Sequence, residues 1–133
     1  MTDLLRPASA YALLTFAVGF ALGTFRVLWL VPRVGDRIAV LLELPVMLGV
    51  SFLIARWAVA YWQVPAMPRR RLAMGALAFA LLMLCEALVS LSLFGNSLSA
   101  HLARYLAPAA WPGLAAQLVF AAMPLLLLLG PRT

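Results

Sequence analysis

Apolar residues run almost unbroken over 8–25, 38–54, 72–93 and roughly 111–129, with Glu86 the one charge inside the third run. Each run is near the ~20 residues that a helix needs to cross a hydrocarbon core. None alternates apolar and polar positions as a membrane strand would. Backbone groups in lipid have to be satisfied inside the element itself, so the pattern predicts helices, spanning approximately 8–31, 37–63, 72–94 and 110–130. The expected fold is an all-α membrane protein, a four-transmembrane-helix up-down bundle that uses the whole chain as one transmembrane domain.

The stretches between the runs are short and carry turn chemistry. Pro32, Arg33, Val34 and Gly35 are expected to join spans one and two, with proline ending the helix and glycine supplying conformational freedom. Pro65 and Pro68 bracket the second turn. Gly95, Asn96 and Ser97 break span three, and Ser97 or Asn96 can cap a short segment, Leu98–Leu106. Helical spacing puts Leu98, Leu102 and Tyr105 on one face of that segment and Ser97, His101 and Arg104 on another, which predicts a short interfacial helix between spans three and four. Trp29 and Trp111 on one side, and Trp57, Tyr61 and Trp62 on the other, are placed as aromatic belts.

Composition agrees with lipid as the solvent: 66% of the 133 residues are hydrophobic and 11% charged, with a mean hydropathy of +1.06. No soluble domain of this size has that balance. Arg6 precedes the first run as in a signal peptide, but Ala8, Ser9 and Ala10 lie ahead of the apolar stretch rather than after it, so the first span is expected to be uncleaved. The single Cys85 excludes a disulfide framework and a cysteine metal site. It reads as a small buried hydrophobe.

A net charge of +6, all from arginine on the basic side, would raise nucleic acid as a partner in a soluble protein. Here the arginines sit at span ends. Arg69, Arg70 and Arg71 cluster between spans two and three, on the same side as Arg6 and Arg132, while the other side has Arg33, Arg37 and Arg104, partly offset by Asp36. The positive-inside rule then places both termini and the Arg69, Arg70, Arg71 turn in the cytoplasm, with these three side chains on lipid headgroups. The expected partner is the lipid bilayer and not nucleic acid. The exclusive use of arginine suits a GC-rich bacterial genome, hence a bacterial cytoplasmic (inner) membrane.

Four polar side chains interrupt the spans at one level. Arg26 lies six residues before Pro32, Glu43 eight after Gly35, Glu86 nine before Gly95 and Gln117 six after Trp111. At ~1.5 Å per residue all four fall on the order of 9 to 14 Å from the outer turns. An ionisable group at that depth has to face protein or water and find a partner. Thr15, Gly19, Gly23 and Arg26 share one helical stripe containing a Gly-x-x-x-Gly motif, which lets another helix come close. Glu43 is expected to pair with Arg26 across the first turn. Pro45 also leaves the Leu41 carbonyl without its helical donor. Glu86 has Ser90 and Ser97 on its own face and is expected either to act as a proton carrier or hydrogen-bond donor to a ligand, or to serve as helix glue, sharing Arg26 with Glu43 or staying neutral against Gln117. Arg56 is expected to snorkel to the cytoplasmic headgroups. Pro124 frees the Phe120 carbonyl.

Three functions fit this pattern. The first is a non-enzymatic accessory or assembly subunit that uses the polar layer for helix packing and the Gly19–Gly23 face for a homo-oligomer or a larger membrane complex. The second is a small transporter or ligand-binding protein with an outward-facing site at Arg26, Glu43, Glu86, Gln117 and Ser90. The third is an intramembrane enzyme with Glu86 as general acid or base. No phosphate loop, nucleophile elbow, zinc motif or haem-binding histidine pair occurs, and no cofactor is expected. Size and span count resemble the small multidrug transporters, whose first span carries a membrane-embedded glutamate. This chain has Arg26 there, which argues against a drug exporter of that kind.

Overall fold

The computed structural model describes residues 2–92, 95–106 and 111–129, without the side chains of residues 2, 3, 36 and 104. Arg132 and the outermost residues assigned above to spans three and four therefore lie outside the described residues, as do the side chains of Asp36 and Arg104. Among the described residues there are helices and turns and no strand. Helix α1 (Thr2–Phe25) passes through a π-helical turn (Arg26–Leu30) into α2 (Val31–Val34), followed by α3 (Asp36–Tyr61), α4 (Pro68–Ser92), α5 (Leu98–Leu106) and α6 (Trp111–Leu126), which ends in a 3-10 turn (Leu127–Leu129). Four stretches are long and apolar enough to cross a membrane: Leu4–Val34, Arg37–Tyr61, Pro68–Ser92 and Trp111–Leu129.

Pro32 does not end the first of these. The helix runs on to Val34, and the chain reverses at Gly35, whose φ of 89° is one that glycine adopts without a Cβ penalty. Proline lacks an N–H and crowds the carbonyl four residues back, here Leu28. The π turn immediately before it, in which the Val31 N–H reaches the Arg26 carbonyl, widens the helix where that crowding falls.

Helices α1 and α6 each pack against both α3 and α4. The contacts of Gly19 with Met47 and of Arg26 with Glu43 set α1 and α3 antiparallel. The approach of Gly75 to Ala121 and the contact of Glu86 with Gln117 do the same for α4 and α6. At the end nearest the Arg71 turn the helices close on one another. The core there is Leu4, Ala8, Tyr11 and Ala12 of α1, Ala55 and Ala58 of α3, Met74, Ala78 and Leu82 of α4, and Phe120 and Met123 of α6. Alanine and glycine at the contacts let the backbones approach, which substitutes in lipid for the absent hydrophobic driving force. A Cβ added at Gly75 would collide with the Ala121 carbonyl oxygen, so only glycine fits. Leu13, Leu53, Leu84, Leu88 and Leu118 are exposed around the perimeter, an apolar surface suited to lipid.

Arg71 does not join Arg69 and Arg70 at a surface. It is buried, donating from Nε to the Pro65 carbonyl (3.2 Å) and from Nη1 to the Pro124 carbonyl (3.1 Å). It ties the turn before α4 to the end of α6, where carbonyls lack helical donors. Its place in the sequence beside two exposed or half-exposed arginines hides this structural task.

Candidate functional site

The other half of the helices does not close. A cavity of about 810 Å³ lies between them, and its lining includes Arg26, Glu43, Glu86, Gln117 and Ser90, together with Thr15, Gly19 and Gly23. The glycine stripe is thus used inside the chain: a Cβ at Gly19 would stand 3.3 Å from the Met47 methyl group, and Gly23 faces the Arg26 guanidinium. Its small residues let α3 come close and leave the cavity its width.

Arg26 Nε lies 2.5 Å from Glu43 Oε2, with side-chain exposures of 26% and 19%. Arg26 opens the π turn and Glu43 lies one helical turn beyond Ala39, so the tight reversal at Gly35 brings the two to one level. Neither is sealed away. Both residues line the cavity.

Across the cavity, Glu86 is held from two other helices. Gln117 of α6 donates from Nε2 to Oε1 at 2.5 Å, and the Tyr105 hydroxyl of α5 donates to Oε2 at 2.8 Å. The Tyr105 oxygen lies 3.2 Å from His101 Nε2, the two rings meeting edge to face with centroids 5.0 Å apart. Both Glu86 oxygens are acceptors in this arrangement, the pattern that suits a carboxylate.

Helix α5 is positioned by the polar residues before it. The Ser97 hydroxyl accepts the Ala100 N–H at 3.1 Å, an N-cap. Asn96 folds back on the buried Ser90, donating from Nδ2 to its hydroxyl (2.9 Å) and from its backbone N–H to its carbonyl (3.1 Å). Ser90 thus anchors the reversal that delivers α5 to the cavity. The faces of α5 differ from the sequence reading: His101 and Tyr105 point inward together, and Leu98, Leu102 and Leu106 are exposed. Four residues make a closer helical match than three, and that spacing was the available signal. His101, which the sequence places with Ser97 and Arg104 on one face of an interfacial helix, is 6% exposed and lines the cavity.

Four buried polar atoms of the lining make no hydrogen bond of ordinary geometry: Thr15 Oγ1, His101 Nδ1, Gln117 Oε1 and Arg26 Nε, the last of them ion-paired to Glu43. Thr15 is 3% exposed, and Ser51, at the floor of the cavity, is buried as well. Buried polar atoms are rarely left unsatisfied without a role. Among the described residues no three side chains of the metal-binding kinds come together. Comparison with protein-family models, curated proteins and solved structures gives no significant match.

Proposed function

We propose that this chain is a small ligand-binding or transport protein of the bacterial cytoplasmic membrane. Its four long helices form an up-down bundle with both termini cytoplasmic, and α5 lies in the outer interface beside the cavity mouth. Orientation rests on the arginines of the 69–71 turn, weighed against the smaller outer set. One observation carries the function: polar residues from all four spans and from α5 line one cavity of about 810 Å³. That volume lies in the range of small-molecule sites. A layer used only to hold helices together would be filled, because interiors close-pack and each void forfeits contacts. This favours the ligand site over the accessory-subunit reading.

The test is access. In a Cys85→Ser background, Thr15→Cys should react with a small, membrane-impermeant thiol reagent added from outside. Ala58→Cys, in the closed half of the core, should not. A Thr15→Cys protein that stays unlabelled would mean a sealed layer, and the accessory-subunit reading would replace this one.

A further inference from the structure

We infer that the cavity takes a single-chain amphiphile with a small uncharged head, of the long-chain alcohol class, drawn sideways from the outer leaflet; this rests on the ligand-binding reading above. The route comes from exposure. Among the described lining residues the exposed ones, Phe20, Thr24, Val27 and Leu28, all belong to the first span, while those of the other helices are buried or half-buried. The wall is therefore open along one edge of that span. Gly19 and Arg26 meet α3, and Leu22 and Phe25 lie on one flank of that contact, beside Leu42 and Val46. Phe16, Phe20 and Thr24, spaced by four, lie on the other flank, Phe20 being turned ~100° from Gly19. Since α1 packs against α3 and α4, this flank is the one toward α4. In the closed half α4 contributes Met74, Ala78 and Leu82 to the core; farther out it leaves Phe20 and Thr24 uncovered. These two stand about 16 to 22 Å along the helix from Gly35, at hydrocarbon depth, so the opening meets acyl chains rather than water.

The polarity of the cavity runs the same way as that of the outer leaflet. Its charged side chains, Arg26, Glu43 and Glu86, stand toward the outer turns, and the wall below them is Phe16, Phe20, Met47, Leu48 and Leu82, with the hydroxyls of Thr15 and Ser51 as the polar exceptions at the floor. An outer-leaflet amphiphile can slide in without turning over. From Arg26 down to Thr15 is about 16 Å along the helix, a length for one hydrocarbon chain. A volume of about 810 Å³ suits one drug-sized molecule and not a two-chain lipid. The head has to sink below its usual level to reach the polar layer, and a charged head would give up hydration there. The lining carries a guanidinium and carboxylates together, which recommends neither sign of charge. At the layer, His101 Nδ1 and Gln117 Oε1 make no ordinary hydrogen bond within the chain. A ring nitrogen donates or accepts according to its tautomer, and an amide according to its orientation; a hydroxyl, which does both, matches either.

Two measurements in phosphatidylcholine nanodiscs test the route and the ligand. A small fluorophore on Thr24→Cys, in a Cys85→Ser background, should be quenched severalfold more by lipid with a nitroxide on its chain than by a water-soluble nitroxide. Hexadecanol with a photoreactive diazirine in mid-chain should label the stretches of chain around Phe16 and Leu48 saturably. Plain hexadecanol should displace it at a mole fraction about tenfold below that needed of palmitate or hexadecyltrimethylammonium. Thr24→Trp, at an exposed position that need not disturb folding, should slow this labelling severalfold at unchanged thermal stability. Quenching of the Thr24→Cys probe from water alone, or a probe shielded from both because a second copy of the chain covers it, overturns the side entry. Equal labelling by a diazirine-bearing phosphatidylcholine means that bulk lipid fills the space, and displacement by palmitate or the ammonium compound as readily as by hexadecanol means that the head is not selected; either overturns the ligand class. Absence of saturable labelling overturns it too, and the ligand-binding reading falls with it only if Thr15→Cys also fails to react from outside.

Discussion

The Tyr11 hydroxyl donates to the Phe120 carbonyl at 2.7 Å while the two rings stack with centroids 4.1 Å apart. Phe120 needs that donor because Pro124, four residues on, has no N–H to give it. The bond links α1 to α6, which lie across from each other, and it forms the boundary between the closed core and the cavity. Tyr11→Phe keeps the stacking and strands the carbonyl, at a cost of about 1–3 kcal/mol. Pro124→Ala returns an N–H to the same carbonyl from within α6. In the double variant the tyrosine substitution should then cost clearly less, measured by reversible unfolding in bicelles. Additive losses would mean that Tyr11 acts through packing alone.

Gly75 and Gly49 are both glycines in the middle of spans, and they should respond in opposite ways. At Gly75 a Cβ collides with backbone, the Ala121 carbonyl, which cannot move without parting α4 from α6. Gly75→Ala should cost about 3 kcal/mol or more. Nothing lies within 4 Å of a Cβ at Gly49, so Gly49→Ala should be neutral or stabilising by about 0.5–1 kcal/mol. Equal responses in a thermal-shift comparison would contradict the close approach at Gly75.

Much of this was legible in the chain, and the failures share a cause. Apolar run length marks the four long helices, and counting residues from Gly35 is enough to see why Arg26 and Glu43 meet. Both are local properties. Arg71 was misplaced because its burial depends on a partner far along the chain, the Pro124 carbonyl, and His101 because α5 turns it inward together with Tyr105, whose hydroxyl reaches Glu86. Pro32 ends a helix by local rules, yet here the π turn absorbs it. The cavity could not be read at all: its residues were visible as a polar layer, but its volume depends on how far Gly19 lets α3 approach and how far α4 and α6 stand away.

The Arg26 and Glu43 pair should be worth less than a fully sealed one, since both side chains keep part of their exposure. Glu43→Gln should destabilise the protein by about 2 kcal/mol, below the ~3–5 kcal/mol typical of a buried charge left alone. Arg26→Met combined with Glu43→Gln should recover part of that loss. A double variant as unstable as the sum of the two singles would remove the coupling.

Topology makes a separate prediction. Arg33, Ser99 and Met67 are all exposed, so cysteines there report sidedness rather than burial. In a Cys85→Ser background, Arg33→Cys and Ser99→Cys should react with an impermeant reagent from outside, and Met67→Cys should not. Labelling at Met67→Cys alone would invert the protein and open the cavity to the cytoplasm.

His101 is the one histidine of the chain, so its ring reports the state of Glu86 without ambiguity. While Glu86 accepts from both Gln117 and Tyr105, Tyr105 must accept from His101, and the neutral ring carries its proton on Nε2. Glu86→Gln reverses the sequence. The new amide oxygen accepts from Gln117, its NH₂ donates to the Tyr105 oxygen, and the Tyr105 hydroxyl turns to donate to His101 Nε2, which moves the ring proton to Nδ1. Nitrogen-15 shifts of labelled histidine in nanodiscs should show the Nε2–H form in the natural protein at neutral pH and the Nδ1–H form in Glu86→Gln, with thermal stability nearly unchanged. Tyr105→Phe cuts the chain between the two and should give a ring indifferent to the Glu86→Gln change. Finding the Nδ1–H form in the natural protein would mean that Glu86 itself carries a proton.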